Sequence, residues 1–331
     1  MNFYLMDPPD RTWWHLYQAA WPVEWKMVDL NRAPTARDVY WYDLGCELWE
    51  TPVVRRQLQA GSTVIFNTCI ESMRTNGFED FSREFPNQLI FINSHAELPA
   101  VRNITCINVP EWFWFVEYYT YAEFKDYTPT RIRDQDFLLM INRQRTERDT
   151  LWNCLKPCLN RSLHSYKGQG IGIKDDVESA YTHVQDNFLW DRYINPAWYE
   201  RTQYSIVVET NIRDRYGSAA ADYFLTEKTL KPIVMQHPFL LYSTQGALSY
   251  IRAMGFETWP ELWDESYDQL NTYSLRARAI AGCAESFDSN LLTQTSVQEK
   301  LQHNHRRFFD PDVVNRLFQQ RVVAPVLNSI L

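Results

Sequence analysis

Hydrophobic and polar positions follow one another along the chain as short apolar runs separated by longer mixed segments. In the first half, the apolar runs predict five strands, at residues 2–6, 38–44, 62–67, 88–93 and 104–109. The mixed segments between them predict helices, among them 12–21 and 47–60. This alternation is typical of βαβ units built over a parallel sheet. We therefore expect the chain to begin with a Rossmann-like domain.

The second half repeats the rhythm after an aromatic segment, residues 110–131, that closes near Pro129. Strands are predicted at 136–143, 162–168, 204–210 and 238–243, and a helix from about Thr146 to Leu155. The continuous apolar centre of 204–210 is typical of a strand buried on both faces. After Gly255 the pattern turns helical as far as about Gln320. We predict an α/β protein with two domains, residues 1–129 and residues 130–331.

The charge and cysteine content narrow the functional classes. The 331 residues carry a net charge of −8, whereas proteins that bind duplexes through phosphates usually have an excess of Lys and Arg. The six cysteines show no spacing of a zinc site or a disulfide framework, so we expect reduced thiols. No apolar run approaches the ~18 residues of a membrane span, and Asp7 and Pro8 interrupt any early signal-like run. These features predict a cytoplasmic protein.

Polar residues gather where two strands of the second half end. The strand at 136–143 leads into Asn142, Arg143, Arg145 and Arg148, and the strand at 204–210 leads into Glu209, Thr210 and Asn211. In open parallel sheets, ligands bind beyond the carboxyl ends of the strands. We therefore expect a ligand site at these two strand ends.

A third polar cluster opens the helix that precedes the strand at 238–243. Thr226 is a good N-cap residue, and Glu227 and Lys228 then fall in the first turn. A helix N-terminus offers unpaired N–H groups to phosphate, but a first-turn lysine opposes the helix dipole by roughly 0.3–1 kcal/mol. An arriving anion would explain Lys228. The alternative is a solvated helix start with an incidental ion pair.

The segments 204–211 and 221–248 resemble the donor-binding region of fucosyltransferase-like glycosyltransferases of the GT-B fold. In that family a strand ending in Phe-Glu-Asn precedes a Tyr-x-Thr-Glu-Lys helix start and a short glycine-containing loop. The matching residues here are Glu209, Tyr223, Thr226, Glu227 and Lys228. The resemblance covers roughly residues 136–270, including the strand that ends in Asn142 and Arg143. Thr210 stands where the family usually has Asn, with Asn211 one place later.

The resemblance implies two Rossmann-like domains facing a cleft and transfer of a sugar from a nucleotide diphosphate to a hydroxyl acceptor. It further implies inversion at the anomeric carbon without a metal, and no cofactor beyond the donor. Lys228 with Arg143 or Arg148 would neutralise the diphosphate, and Glu227 would bind the ribose. Glu209 and Asn211 would hold the sugar or the nucleotide, with Asn142, Tyr223 and Thr226 in the same donor site.

The general base is expected from the first domain. Asp43 and Glu71 are the candidates, because each follows a predicted strand, and His95 is a further one. Asp134 and Asp136 fit the Asp-x-Asp pattern of metal-using glycosyltransferases, but they precede a strand rather than follow one.

Two alternatives remain open at the sequence level. The acceptor could be a modified base in DNA, if Arg131, Arg133, Arg143 and Arg145 offset the acidity of the chain locally. The chain could instead be a GT-B module that binds sugar or a partner without catalysis.

Overall fold

The computed structural model describes residues 1–5, 21–28, 31–42, 51–67, 78–94, 103–173, 193–212 and 223–331. The chain divides into two compact units. The first comprises Met1–Tyr119 and Asp310–Leu331, and the second comprises Thr120–Phe309.

The first unit is built on a parallel sheet. Within the described residues it has six strands in the order β2-β1-β3-β4-β5-β6, every pair parallel. The strands are β1 (Asn2–Leu5), β2 (Trp25–Met27), β3 (Asp38–Tyr42), β4 (Thr63–Asn67), β5 (Leu89–Asn93) and β6 (Ile104–Asn108). The sequence predicted all of them except β2, whose three residues are too few to give a pattern.

The strands β3, β4 and β5 are buried along almost their whole length. Many of the side chains on the two faces of this sheet are aromatic. On one face the rings of Tyr42, Phe66 and Phe91 stack across three neighbouring strands. The helices of this part are α1 (Pro52–Gln59), α2 (Phe78–Glu84) and α3 (Trp112–Thr120). The aromatic segment predicted as a connection between domains therefore contains α3, a helix whose first six side chains are buried.

The second unit has a smaller parallel sheet. Its order is β10-β9-β7-β8 within the described residues, again with every pair parallel. The strands are β7 (Gln135–Ile141), β8 (Ser162–Tyr166), β9 (Thr202–Val208) and β10 (Phe239–Tyr242). The α/β class and the parallel sheets predicted from the sequence are thus confirmed.

Helices flank these strands in the chain. They are α4 (Thr146–Leu155), α5 (Pro196–Arg201), α6 (Glu227–Val234), α7 (Ala247–Ala253), α8 (Tyr273–Glu285) and α9 (Thr295–Phe308). Short 3₁₀ turns occur at Ala122–Phe124, Lys156–Arg161, Lys167–Gln169, Glu265–Gln269 and Ser289–Thr293.

The chain ends with α10 (Pro311–Phe318), a π-helical turn at Gln319–Val323, and α11 (Ala324–Ile330). These elements group with the first unit, whereas the sequence pattern predicts them within residues 130–331. Within this unit the ring of Phe318 packs against Trp21, Trp112 and Phe115. No helix in the described parts of the chain has the length and apolar character needed to cross a bilayer.

Candidate functional site

The second sheet changes direction between β7 and β9. From β7 the chain first adds β8 on one side and then returns to place β9 on the other side, with β10 beyond it. Such a reversal opens a crevice at the carboxyl ends of the two strands, where ligands of doubly wound sheets bind. The residues after β7 and β9 are the ones that the sequence selected as site candidates.

Arginines tie these two strand ends together. Arg145 donates from Nη1 to the carbonyl of Thr210 at 2.7 Å. Arg148, 4% exposed, donates to the carbonyls of Arg143 at 3.1 Å and Glu209 at 3.2 Å. Burial, with the nearby charge of Arg145, lowers the pKa of Arg148 below its usual value. Arg148 is thus a brace between the strand ends, while Arg143 is exposed and Arg145 is half-buried.

Asn142 and Arg143 lie on a turn whose shape depends on a glycine. The carbonyl of Asn142 accepts the N–H of Gly168 at 2.7 Å. A Cβ on Gly168 would come within 2.5 Å of the Gln144 nitrogen, so only glycine permits this approach. The exposed side chains of Asn142 and Arg143 are therefore carried on a braced backbone.

Glu209 lies just past β9 and has a fully buried side chain, 0% exposed. Its carboxylate accepts the Thr226 N–H at 3.0 Å and the Thr226 hydroxyl at 2.7 Å. The hydroxyl of Thr229 donates to the same carboxylate at 2.6 Å, and the Thr210 N–H donates at 3.2 Å. The carboxylate is therefore engaged inside the protein and fastens the start of α6 to the end of β9.

The start of α6 is the predicted one. Thr226 is the N-cap, and its hydroxyl accepts the Lys228 N–H at 3.4 Å. The Thr226 N–H already has Glu209 as acceptor, and the Thr229 N–H has the Thr226 carbonyl at 3.2 Å. Amides that we expected to be available to phosphate are thus engaged. Lys228 contributes an ammonium group to the first turn of this helix.

Lys228 and Glu227 form an ion pair with Nζ and Oε1 2.5 Å apart. The Lys228 side chain is 31% exposed, whereas that of Glu227 is 9% exposed. Burial alone would raise the pKa of Glu227, but the charges of Lys228 and Lys231 outweigh it and hold that pKa below its usual value. The ion pair of the alternative interpretation is therefore present, and the Lys228 side chain stays partly exposed.

Tyr223 and Asn211 border the same strand ends. The ring of Tyr223 stacks on Tyr250 with centroids 5.4 Å apart, and its hydroxyl covers Gly246, where a Cβ would meet it at 2.6 Å. The carbonyl of Asn211 accepts the Thr244 hydroxyl at 3.3 Å, which joins the end of β9 to the loop after β10. The structure therefore gathers Arg145, Arg148, Glu209, Thr226 and Lys228 into one hydrogen-bonded chain, with Asn211 and Tyr223 beside it.

Other candidates fall elsewhere. Asp43, Glu71 and His95 lie outside the described residues. Asp134 precedes β7 and pairs with Arg201, whereas Asp136 lies at the start of β7 and pairs with Arg161. Among the described residues no cluster of His, Cys, Asp and Glu is suited to a metal.

The four arginines proposed for a DNA acceptor lie near the two ends of β7. Arg131 and Arg133 precede β7, and Arg143 and Arg145 follow it. The strand between them is about 20 Å long. A nucleic-acid acceptor that met all four would have to extend over this distance, so that alternative stays a prediction.

Sequence reasoning missed Thr229 and Thr210 as partners of Glu209. Thr229 could have been found, because it lies three residues after Thr226 and so on the same face of the helix. The Thr210 contact uses backbone, which leaves no trace in the sequence.

Comparison with known proteins does not decide the family. No family model, curated protein or solved structure matches the chain. What the site does must therefore be argued from its own chemistry.

Proposed function

We propose that the protein is a glycosyltransferase that moves a sugar from a nucleotide diphosphate to a hydroxyl acceptor. The donor would bind at the carboxyl edge of the second sheet, where β7 and β9 end and α6 begins. The observation that carries the proposal is the network from Arg145 through Glu209 and Thr226 to Lys228 at the reversal of the sheet. The resemblance to fucosyltransferase-like enzymes was drawn from these same positions, and with it the proposal includes the GT-B fold.

The chemistry of sugar transfer requires a site for a leaving diphosphate. Cations held in a fixed place stabilise the negative charge that grows on the diphosphate as the glycosidic bond breaks. Lys228 would supply a point charge, and Arg143 and Arg145 would offer planar guanidinium groups suited to phosphate oxygens. Support comes from their exposure, since Arg143 is exposed and the other two are partly so.

Glu227 and Tyr223 would serve the nucleoside. A carboxylate can accept hydrogen bonds from both ribose hydroxyls, and the low pKa of Glu227 keeps it ionised for this role. Tyr223 offers an aromatic face. Asp43 and Glu71 remain the proposed sources of the general base that removes the acceptor proton.

A thermal-shift screen tests the proposal. GDP, UDP, CDP and dTDP would each be added with magnesium and with a chelator. A ligand at about 100 times its Kd adds about 2.7 kcal/mol of stability, which raises Tm visibly. We expect one nucleotide to raise Tm equally with and without the metal. If none of the four shifts Tm, the donor site is refuted and the non-catalytic module is favoured.

A further inference from the structure

The buried carboxylate of Glu209 raises a question that the proposed function leaves open. A family-based assignment has this residue hold the sugar or the nucleotide. In the structure its side chain is 0% exposed and accepts hydrogen bonds from Thr210, Thr226 and Thr229. A carboxylate in that condition would have to give up internal partners in order to contact a ligand.

The backbone of Glu209 is held as well. Its N–H donates to the carbonyl of Tyr242 in β10 at 3.0 Å, and its carbonyl accepts from the buried guanidinium of Arg148 at 3.2 Å. Glu209 is therefore fixed by β10 on one side and by α4 on the other. A group that hydrogen-bonds to its carboxylate is therefore held in place relative to the ends of β9 and β10.

What the carboxylate holds is the first turn of α6. Both the N–H and the hydroxyl of Thr226 point to Glu209, and Thr229 binds it from the next turn of the same face. The Thr226 hydroxyl also lies 3.3 Å from Lys228 Nζ. One threonine oxygen thus separates the Glu209 carboxylate from the ammonium group.

The charge of Glu209 has a second effect at this place. A carboxylate at a helix N-terminus is favoured by the helix dipole and takes amide donors that an outside anion would otherwise use. An incoming phosphate would then bind the Lys228 ammonium rather than the end of the helix.

We infer that Glu209 is a positioning residue, which sets the start of α6 and through Thr226 the place of Lys228 without contacting the donor. The role given to Lys228 rests on the proposed function. The part of the inference that Glu209 fixes the start of α6 does not. Its effect on ligand binding must therefore pass through Lys228.

Hydrogen exchange and a double-mutant cycle test the two parts separately. E209Q keeps the shape of the side chain but replaces one acceptor oxygen with a donor, so the amides of residues 226–229 should exchange faster while those of β7 stay protected. Pyrophosphate is the binding probe, because every nucleotide diphosphate shares its chemistry. We expect E209Q and K228Q each to weaken pyrophosphate binding about tenfold. The double variant should bind pyrophosphate no more weakly than K228Q alone.

T229V provides a milder variant in case E209Q fails to fold. It removes one donor to Glu209 and leaves those of Thr226, so it should give the same pattern to a smaller degree. T293V is the matched control, since the Thr293 hydroxyl donates to the Asn290 carbonyl in the turn at Ser289–Thr293 and not to Glu209, and it should change neither measurement.

Each result has a distinct meaning. Weaker binding with unchanged exchange, and an effect of E209Q that persists in the K228Q background, would show direct contact with the ligand and overturn the inference. Unchanged exchange and unchanged binding would overturn it too. Faster exchange in E209Q, in a protein whose wild type binds neither pyrophosphate nor any nucleoside diphosphate, would uphold the hold on α6 and refute the proposed function.

Discussion

The imidazole of His237 is buried just after α6. Its Nδ1 lies 2.8 Å from the Ser205 hydroxyl, and its Nε2 lies 2.9 Å from the Thr202 carbonyl. A neutral ring that donates from Nε2 and accepts at Nδ1 satisfies both contacts. Burial lowers the pKa of His237 to about 3, and the charges of Arg133 and Arg131 act in the same direction.

This residue should make stability depend on pH. Because the folded-state pKa is depressed, the unfolded chain takes up the proton first, near pH ~6.5. The free energy of unfolding should therefore fall as the pH drops from about 6.5 towards 3, by up to about 1.4 kcal/mol per pH unit from this proton. Urea denaturation at several pH values across that range should show that the free energy of unfolding depends less steeply on pH for His237→Asn than for wild type. Equal slopes would contradict the buried neutral histidine.

For single residues, the sequence predicts which cations lie in the site but not which of them are buried. Arg143, Arg148 and Lys228 were all placed in the site, since each follows a strand end or opens a helix. Whether an arginine faces solvent or braces backbone carbonyls depends on contacts between residues far apart in sequence. Arg148 and Glu209, which form such a contact, are about 60 residues apart. Sequence spacing has no means of showing this.

At the scale of elements, α6 was predictable at its start and less so at its end. Thr226 caps it as its chemistry requires, yet Pro232 lies within the helix, where we expected a bend or a late beginning. The helix ends at Val234 and is followed by a left-handed Gln236, φ 49°, with the His237 N–H donating to the Pro232 carbonyl at 2.8 Å. That closing pattern usually employs glycine, so a glutamine at this position does not predict it.

The loop between β10 and α7 provides a test of element geometry. Gly246 has φ 86°, and a Cβ there would meet the Tyr223 hydroxyl at 2.6 Å. Gly246→Ala should lower the free energy of unfolding by at least about 1–2 kcal/mol, from backbone strain alone. The matched change is Gly282→Ala within α8, where a Cβ meets nothing within 4 Å. It should stabilise by about 0.5–1 kcal/mol. Chemical denaturation of both variants checks the pair, and equal effects would contradict the loop geometry.

For the whole molecule, the main difference from expectation is the return of the chain end to the first unit. A helical pattern over 255–320 predicts helices but not which sheet they cover, because the apolar face of a helix does not specify the surface against which it packs. Phe318 is 1% exposed and packs only on rings of the first unit among the contacts described above.

Phe318→Ala should therefore destabilise one unit selectively. Loss of a buried phenylalanine costs about 3–5 kcal/mol. Hydrogen exchange should show lost protection in β3, β4 and β5, with β7 and β9 unchanged. Equal loss in both sheets would mean that the two units unfold together.

The most direct test of the central proposal is the release of nucleoside diphosphate from a panel of GDP-, UDP-, CDP- and dTDP-sugars. The assay would compare wild type with Lys228→Gln and with Lys300→Gln, a control lysine that also pairs with a glutamate, Glu261, at 2.6 Å. We predict release from at least one sugar nucleotide, slowed about 100-fold by Lys228→Gln because a charge on the leaving diphosphate loses its partner, and unchanged by Lys300→Gln. Release that is as fast in Lys228→Gln as in wild type, or no release from any donor, would contradict the proposal.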